Sequence, residues 1–193
     1  DITEAVKRGA GAGVVTDRLN ELVREVGELA TESLIGVDRI ATIVRSLKGM
    51  ARNRPHEREL FNVTKAVQEA VMFFRGARQS RDAIQCELPN ELMAWGDDGG
   101  LGQVVLNLMG NAYDAMGKKG PIVVRAESDA KHVRILIADK GPGIPESVRN
   151  HIFEPFFTTK DIGEGTGLGL YISHSIVRQM GGTLTFETSS EGT

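Results

Sequence analysis

Three polar side chains share one stripe of a helix-forming segment. In Gln103-Val-Val-Leu-Asn107-Leu-Met-Gly-Asn111-Ala-Tyr-Asp114-Ala115, the residues Asn107, Asn111 and Asp114 stand at i, i+4 and i+7. That spacing is one face of an α-helix. Two carboxamides and a carboxylate beside an apolar stripe are costly to bury unless something hydrogen-bonds them. Oxygen donors of this kind suit Mg²⁺, which keeps several waters and shares phosphate oxygens. A merely polar helix face has the same pattern, so the spacing by itself identifies no metal.

Three further segments carry chemistry. Asp139 ends the apolar run Val133 to Ala138 and opens Asp139-Lys140-Gly141-Pro142-Gly143-Ile144-Pro145. A carboxylate fixed there accepts a hydrogen bond from the exocyclic amine of adenine, whereas guanine would set an acceptor against it. Gly141 and Gly143 let the backbone pass close to a flat ring, although Asp and Gly also make ordinary turns. Gly163-Glu-Gly165-Thr-Gly167-Leu168-Gly169-Leu170 alternates glycine into a helix start. Backbone N–H groups in such a loop are free to point at phosphate. Neither GxxxxGK[ST] nor GxGxxG occurs, which excludes the P-loop and Rossmann readings. Between the two loops lies His151-Ile-Phe153-Glu-Pro155-Phe156-Phe157-Thr158-Thr159-Lys160. Three phenylalanines are out of place in a solvated loop. They anchor a lid or make a satellite core under it, and Lys160 then carries positive charge toward a terminal phosphate.

The positioning elements follow from periodicity. Residues 100 to 117 read as a helix, with Leu101, Val104, Val105, Leu108 and Ala112 on one face. Leu60 to Val63 reads as a short strand, and Asn62 or Thr64 caps a helix over about 65 to 75. Residues 84 to 88, 92 to 95, Ile122 to Glu127 and Val133 to Ala138 read as strands, the last two joined by a polar turn at 128 to 131. Residues 140 to 166 have little periodicity. Residues 167 to 180 form a helix stopped by Gly181-Gly182, and Thr183 to Thr188 begins a strand. Earlier in the chain, Leu19, Val23, Val26, Ala30, Ser33, Val37, Ile40, Val44, Leu47 and Ala51 recur in steps of four and three. This is a helical seam over 14 to 52, and Leu22, Leu29, Leu34 and Ile43 widen it to suit a bundle. Such a helix would run roughly 58 Å, so it needs a long partner. Gly9 to Gly13 reads as a linker or hairpin connection.

Composition sets the bounds. With 193 residues, 40 % apolar and net charge −3, the chain can bury a core and offers no electrostatic case for nucleic acid. The lone Cys86 excludes an internal disulfide and a cysteine zinc site, and it reads as a buried strand residue. No apolar run reaches membrane-span length. The expected location is cytoplasmic, with no membrane contact by this piece.

Together NLMGNAYDA, DKGPGIP, FEPFFTTK and GEGTGLGL resemble, in order, the N, G1, F and G2 boxes of the ATP-binding domain of the GHKL superfamily. Within it they resemble two-component sensor histidine kinases, because the other members (gyrase-type topoisomerases, mismatch-repair ATPases, the heat-shock chaperone) lack an F box. The resemblance implies a two-layer α/β (α+β) sandwich, a mixed sheet with three helices on one face. It implies a helical dimerisation and phosphotransfer segment over 1–54 and an ATP-binding domain over 55–193, in a homodimer built through the long helix. The cofactors it implies are ATP and Mg²⁺, and the protein partner is a response-regulator receiver domain. Asn111 is implied as the Mg²⁺ ligand and Asn107 as its neighbour near the phosphates. Asp114, Asp139, Gly141, Gly143 and Ile144 join the nucleotide-binding set. So do Phe156, Thr158, Thr159 and Lys160 of a lid from about Pro145 to Thr166, and Gly165, Thr166, Gly167, Leu168 and Gly169 around the phosphates. Lys160 and Asn107 are the expected catalytic side chains.

One departure from the family pattern stands out. The phosphoacceptor histidine belongs on the first helix of the hairpin in an H-E-x-x-N-P setting, and His56, His132, His151 and His174 do not fit it. The acceptor is therefore expected outside these 193 residues, in a longer parent. A non-catalytic nucleotide-binding or dimerisation module is the rival reading. An ATP-hydrolysing relative would need a general-base glutamate near the N box, where Gly102-Gln103 supplies none.

Overall fold

The computed structural model describes residues 16–31, 33, 36–37, 59–78, 84–161 and 165–193. The chain divides into two compact units, Asp1–Gly49 and Met50–Thr193. In the first, residues 16–31 form a helix, α1, and residues 33, 36 and 37 are also helical. Leu19, Val23, Val26, Leu29 and Val37 are exposed, so the described part of the apolar seam lies on the surface of this unit. The predicted continuation to residue 52, the 9–13 linker and the boundary at 54/55 lie outside the described residues.

The second unit runs β1 (Glu59–Asn62), α2 (Val63–Arg78), β2 (Ile84–Glu87), β3 (Met93–Gly96), α3 (Asp98–Ala115), β4 (Ile122–Ser128), β5 (Val133–Ala138) and α4 (Gly169–Gln179). The cap of α2 is Asn62, whose Oδ1 accepts the Lys65 N–H at 3.0 Å and satisfies one of the orphan donors of the first turn. Its apolar positions Val63, Ala66, Val67, Ala70, Val71 and Phe74 are all buried, the spacing of a helix with one core face. On α3 the buried set is Gly100, Leu101, Val104, Val105, Met109 and Ala112; Leu108, expected on that face, is only part-buried, and Met109 fills the core in its place. Met109 is wholly buried, as are Ile122 and Val124 of β4. The Phe74 and Tyr113 rings meet edge to face at 5.8 Å, locking α2 to α3 in a favoured aromatic geometry.

The fold is α+β, and its strands divide between two ladders. One pairs β1 with β3 antiparallel, and the other runs β2-β4-β5. In the second, β2 is parallel to β4 and β4 antiparallel to β5, so the expected mixed pairing is present. The turn joining β4 to β5 is closed by Asp129, whose Oδ1 accepts the N–H groups of Lys131 and His132 at 2.7 and 2.8 Å. These bonds hold its carboxyl below the ordinary carboxylate range. Their contribution is present above that range and fades as pH falls through the lowered value. The outer face of the sheet carries Arg125–Glu87 and Arg134–Glu127 ion pairs.

Two further expectations are corrected. Cys86 is exposed, not buried. It pairs with Val124, which is buried, but β2 is the end strand of its ladder among the described residues. Partial desolvation pushes its thiol pKa up, opposed by the Arg75 guanidinium. Residues 183–188 form no strand. Leu184, Phe186 and Thr188 alternate inward as a strand would, but a strand also needs a ladder partner. The bridge recorded nearby is Ser189 with Gly192.

Met109 sits where α3 meets the rest of the core. Met109→Ala should cost about 2–5 kcal/mol, read as a lower urea midpoint at unchanged slope.

Candidate functional site

The three-residue stripe on α3 emerges opposite the buried face, and each of its members has a different environment. Asn107 donates through Nδ2 to the Gly169 carbonyl and the Ser173 hydroxyl, both at 3.3 Å. It therefore ties α3 to the first turn of α4, which the glycine-rich segment enters. Ser173 is fully buried, and this contact gives its hydroxyl the partner that burial demands. Asn111 is part-buried, and its side chain makes no hydrogen bond among the described residues. Asp114 forms an ion pair with Lys160 through Oδ2 and Nζ.

Asp139 stands at the end of β5, and its Oδ1 accepts the Gly141 N–H at 2.8 Å. Gly141 is buried, and a Cβ there would lie 2.9 Å from that carboxylate oxygen and 3.4 Å from the Ala115 side chain. The G1 loop is thereby seated against the C-terminal end of α3. Gly143 has φ +73, and a Cβ would meet the Ser189 carbonyl at 1.9 Å. Only glycine combines that backbone with so close an approach. The Thr188 hydroxyl accepts the Ile144 N–H at 2.7 Å, Arg149 Nε donates to the Ile144 carbonyl at 3.0 Å, and the Asp139 N–H donates to the Thr193 carbonyl at 2.8 Å.

The F-box segment is held from two sides. Ile152 is buried, and Phe153 stacks on His174 of α4 with centroids 5.0 Å apart. Phe157 is half-buried beside His151. Phe156 departs from the expected anchor set: it is 68 % exposed and has φ +68. A strained non-glycine residue persists where its surroundings hold it, and here Gly167 supplies the holding surface. A Cβ on Gly167 (φ +65) would lie 2.3 Å from the Phe156 carbonyl carbon, and one on Gly165 would lie 2.4 Å from Thr158 Oγ1. The glycines at 165 and 167 are thus required for the approach of two backbone segments. Leu168 is buried, so its side chain packs inward and its backbone is what faces the loop. Thr166 Oγ1 accepts the Leu168 N–H at 3.4 Å. Thr159 is exposed, and Gly163 lies outside the described residues.

The fold therefore joins Asn107 with Gly169, Asp114 with Lys160, Asp139 with Gly141, and the F box with Gly165 and Gly167. Sequence reasoning missed Ser173, His174, Arg149 and Thr188. Ser173 had a signal: it lies four residues after Gly169, on the inner face of α4 beside buried Ile172. The donor set suits a metal–phosphate ligand. Asn111 is a part-buried oxygen donor, and Asn107 spends its N–H₂ on the protein and keeps a carbonyl oxygen. Among the described residues no group of three His, Cys, Asp or Glu is placed to hold a metal, so a cation here would rest on few protein ligands, as Mg²⁺ does.

A strand-end carboxylate, a glycine-rich helix entry and a lid seated beside an Asn-bearing helix define an ATP-binding domain of the GHKL type. The profile of histidine kinase-, DNA gyrase B- and HSP90-like ATPases matches residues 96–193; the chain belongs to that family, among the two-component sensor kinases. It is 38 % identical over 160 residues to the C4-dicarboxylate transport sensor protein DctB of Rhizobium meliloti, covering 81 % of this chain and 25 % of that protein. The catalytic domain of histidine kinase ThkA superposes with TM-score 0.60 at 33 % identity, over 70 % of this chain and 90 % of that one. Full-length ShkA in complex with AMPPNP superposes with TM-score 0.62 at 26 % identity, over 80 % of this chain and 34 % of that one. The chain spans a quarter of the length of DctB.

Gly167→Ala would force a side chain into the Phe156 backbone at a φ that L-residues avoid. It should loosen the lid by about 1–3 kcal/mol, seen as faster proteolytic cleavage within 150–168 while the melting temperature of the core changes little.

Proposed function

We propose that this chain is the ATP-binding catalytic part of a sensor histidine kinase. The parent transfers the γ-phosphoryl group of Mg·ATP to a histidine nitrogen and passes it to an aspartate of a response-regulator receiver domain. The observation that carries this reading is the convergence on one face of α3: the α4 entry bound by Asn107 and the lid lysine bound by Asp114. Asp139 reads adenine, and the N–H groups around Gly165 to Gly169 face the phosphates. Asn111 holds Mg²⁺, which supplies charge neutralisation at the phosphoryl group. What the protein contributes to phosphoryl transfer is then position and electrostatics. Residues 55–193 form the ATP domain, and residues 1–54 belong to a helical dimerisation segment. The exposed apolar stripe on α1 supports a homodimer through that helix.

The four histidines are not proposed as acceptors. His132 borders the β4–β5 turn by Asp129, His151 pairs with Glu154, His174 is stacked on Phe153, and His56 lies outside the described residues.

Nucleotide titration tests the site. Asp139→Asn should weaken ATP binding by more than about tenfold, since one hydrogen bond to a charged group is worth about 1.5–3 kcal/mol. Asn111→Ala should make the remaining affinity indifferent to Mg²⁺. An unchanged affinity in the first variant removes Asp139 from the pocket, and a surviving metal dependence in the second removes Asn111.

Phosphotransfer tests the reaction. With γ-labelled ATP and a phosphoacceptor hairpin of a related kinase added in trans, alkali-stable label should appear on the hairpin and not on this chain. Label on neither, with ATP bound, would make the chain a non-catalytic nucleotide-binding module.

A further inference from the structure

We infer that Asp114 is a positioning residue for Lys160: its carboxylate holds the lid lysine beside Asn111, and this pairing, not metal ligation, is its contribution to recognising the terminal phosphate. The inference rests on the ATP-dependent reading above and deepens it.

Three observations support it. The Asp114–Lys160 pair joins residues 46 apart in sequence, and its side chains are 28 % and 32 % exposed. The other ion pairs among the described residues, Arg125–Glu87 at 48 % and 52 % and Arg134–Glu127 at 74 % and 57 % among them, are more open to solvent and are screened accordingly. Second, the backbone bearing Lys160 is itself fixed. Its N–H donates to Thr158 Oγ1 at 3.1 Å, and the absent side chain at Gly165 leaves room for both Thr158 and the Lys160 Cβ. Third, Asp114 follows Asn111 by three residues on the same helical stripe, so the ammonium it holds stands one turn from the proposed metal ligand.

A lysine is a point charge on a flexible stem, and holding it beforehand lowers the ordering cost when phosphate arrives. The same geometry makes an unpaired Asp114 harmful, because it would then face the polyphosphate as a bare like charge. The two positions must therefore couple with a change of sign.

The test is a double-mutant cycle on the ratio of ATP to ADP affinity, read by titration of the full chain in Mg²⁺. Asp114→Asn alone should lower that ratio roughly tenfold, and Asp114→Glu should restore most of it. Lys160→Gln should lower it by at least as much. In the Lys160→Gln background, Asp114→Asn should leave the ratio unchanged or raise it. A further loss in that background, dependent on Mg²⁺, would make Asp114 a metal ligand and overturn the inference. No effect of Asp114→Asn alone, in a variant that melts like the parent, would overturn it too. Failure of the parent chain to bind ATP would instead overturn the functional reading on which the inference stands.

Discussion

Helix α3 has to be satisfied on two faces at once, and the rest of the unit is arranged around that demand. Its apolar face needs a core, which α2 and β4 supply around Met109 and Val105. Its polar face carries Asn107, Asn111 and Asp114, groups that cannot be left half-buried and unbonded without cost. The structure answers with separate partners for Asn107 and Asp114. The α4 entry accepts from Asn107, and the lid lysine meets Asp114. Asn111 lies between them, its side chain making no hydrogen bond among the described residues. The polar demand of one helix thus draws the α4 entry and the segment bearing Lys160 toward the same stripe.

The glycines acquire a second role in this arrangement. In sequence, the alternation at 165, 167 and 169 reads as backbone freed for phosphate. In three dimensions, Gly165 and Gly167 are also the places where the loop touches Thr158 and Phe156. The two roles are compatible, because a segment that shows its N–H groups to a ligand must rest its other side on something. That other side is the F box. The positive φ of Phe156 is tolerable because Gly167 lies directly against its backbone, and a side chain at either contact would separate the two segments.

Local patterns were legible wherever one periodicity ruled. The helices α2 and α3, most of the α3 core face and the β4–β5 hairpin follow from spacing and turn chemistry, and of the two caps open for α2, Asn62 and Thr64, the structure takes Asn62. The order of the four site segments was legible too. What escaped depends on neighbours distant in sequence. Cys86 pairs with buried Val124, but β2 is the end strand of its ladder among the described residues, which alternation does not encode. The alternation of Leu184, Phe186 and Thr188 is real, yet strand formation depends on a partner ladder. Ser173 resembles any helical serine until Asn107 is placed opposite it. Phe156 resembles its two neighbours in composition and differs in backbone, since adjacent residues in an irregular loop cannot all face inward.

The site is also anchored unequally at its two ends. At the Asp139 end the contacts are backbone-rich: Gly141 and Gly143 admit no side chain, Asp139 N–H reaches the Thr193 carbonyl, and Thr188 clamps Ile144. Such contacts are lost only when the local fold opens. At the lid end, Lys160 is held by an ion pair between two flexible side chains, and its ammonium can change partners without any backbone bond breaking. A carboxylate and a phosphate offer it the same kind of interaction, with the greater charge on the phosphate. In the proposed reading, rigidity falls where a flat base has to be discriminated and adjustability where a charged group has to be admitted and released. On that reading Lys160 serves a transient ligand, and its pairing with Asp114 keeps it in place between visits.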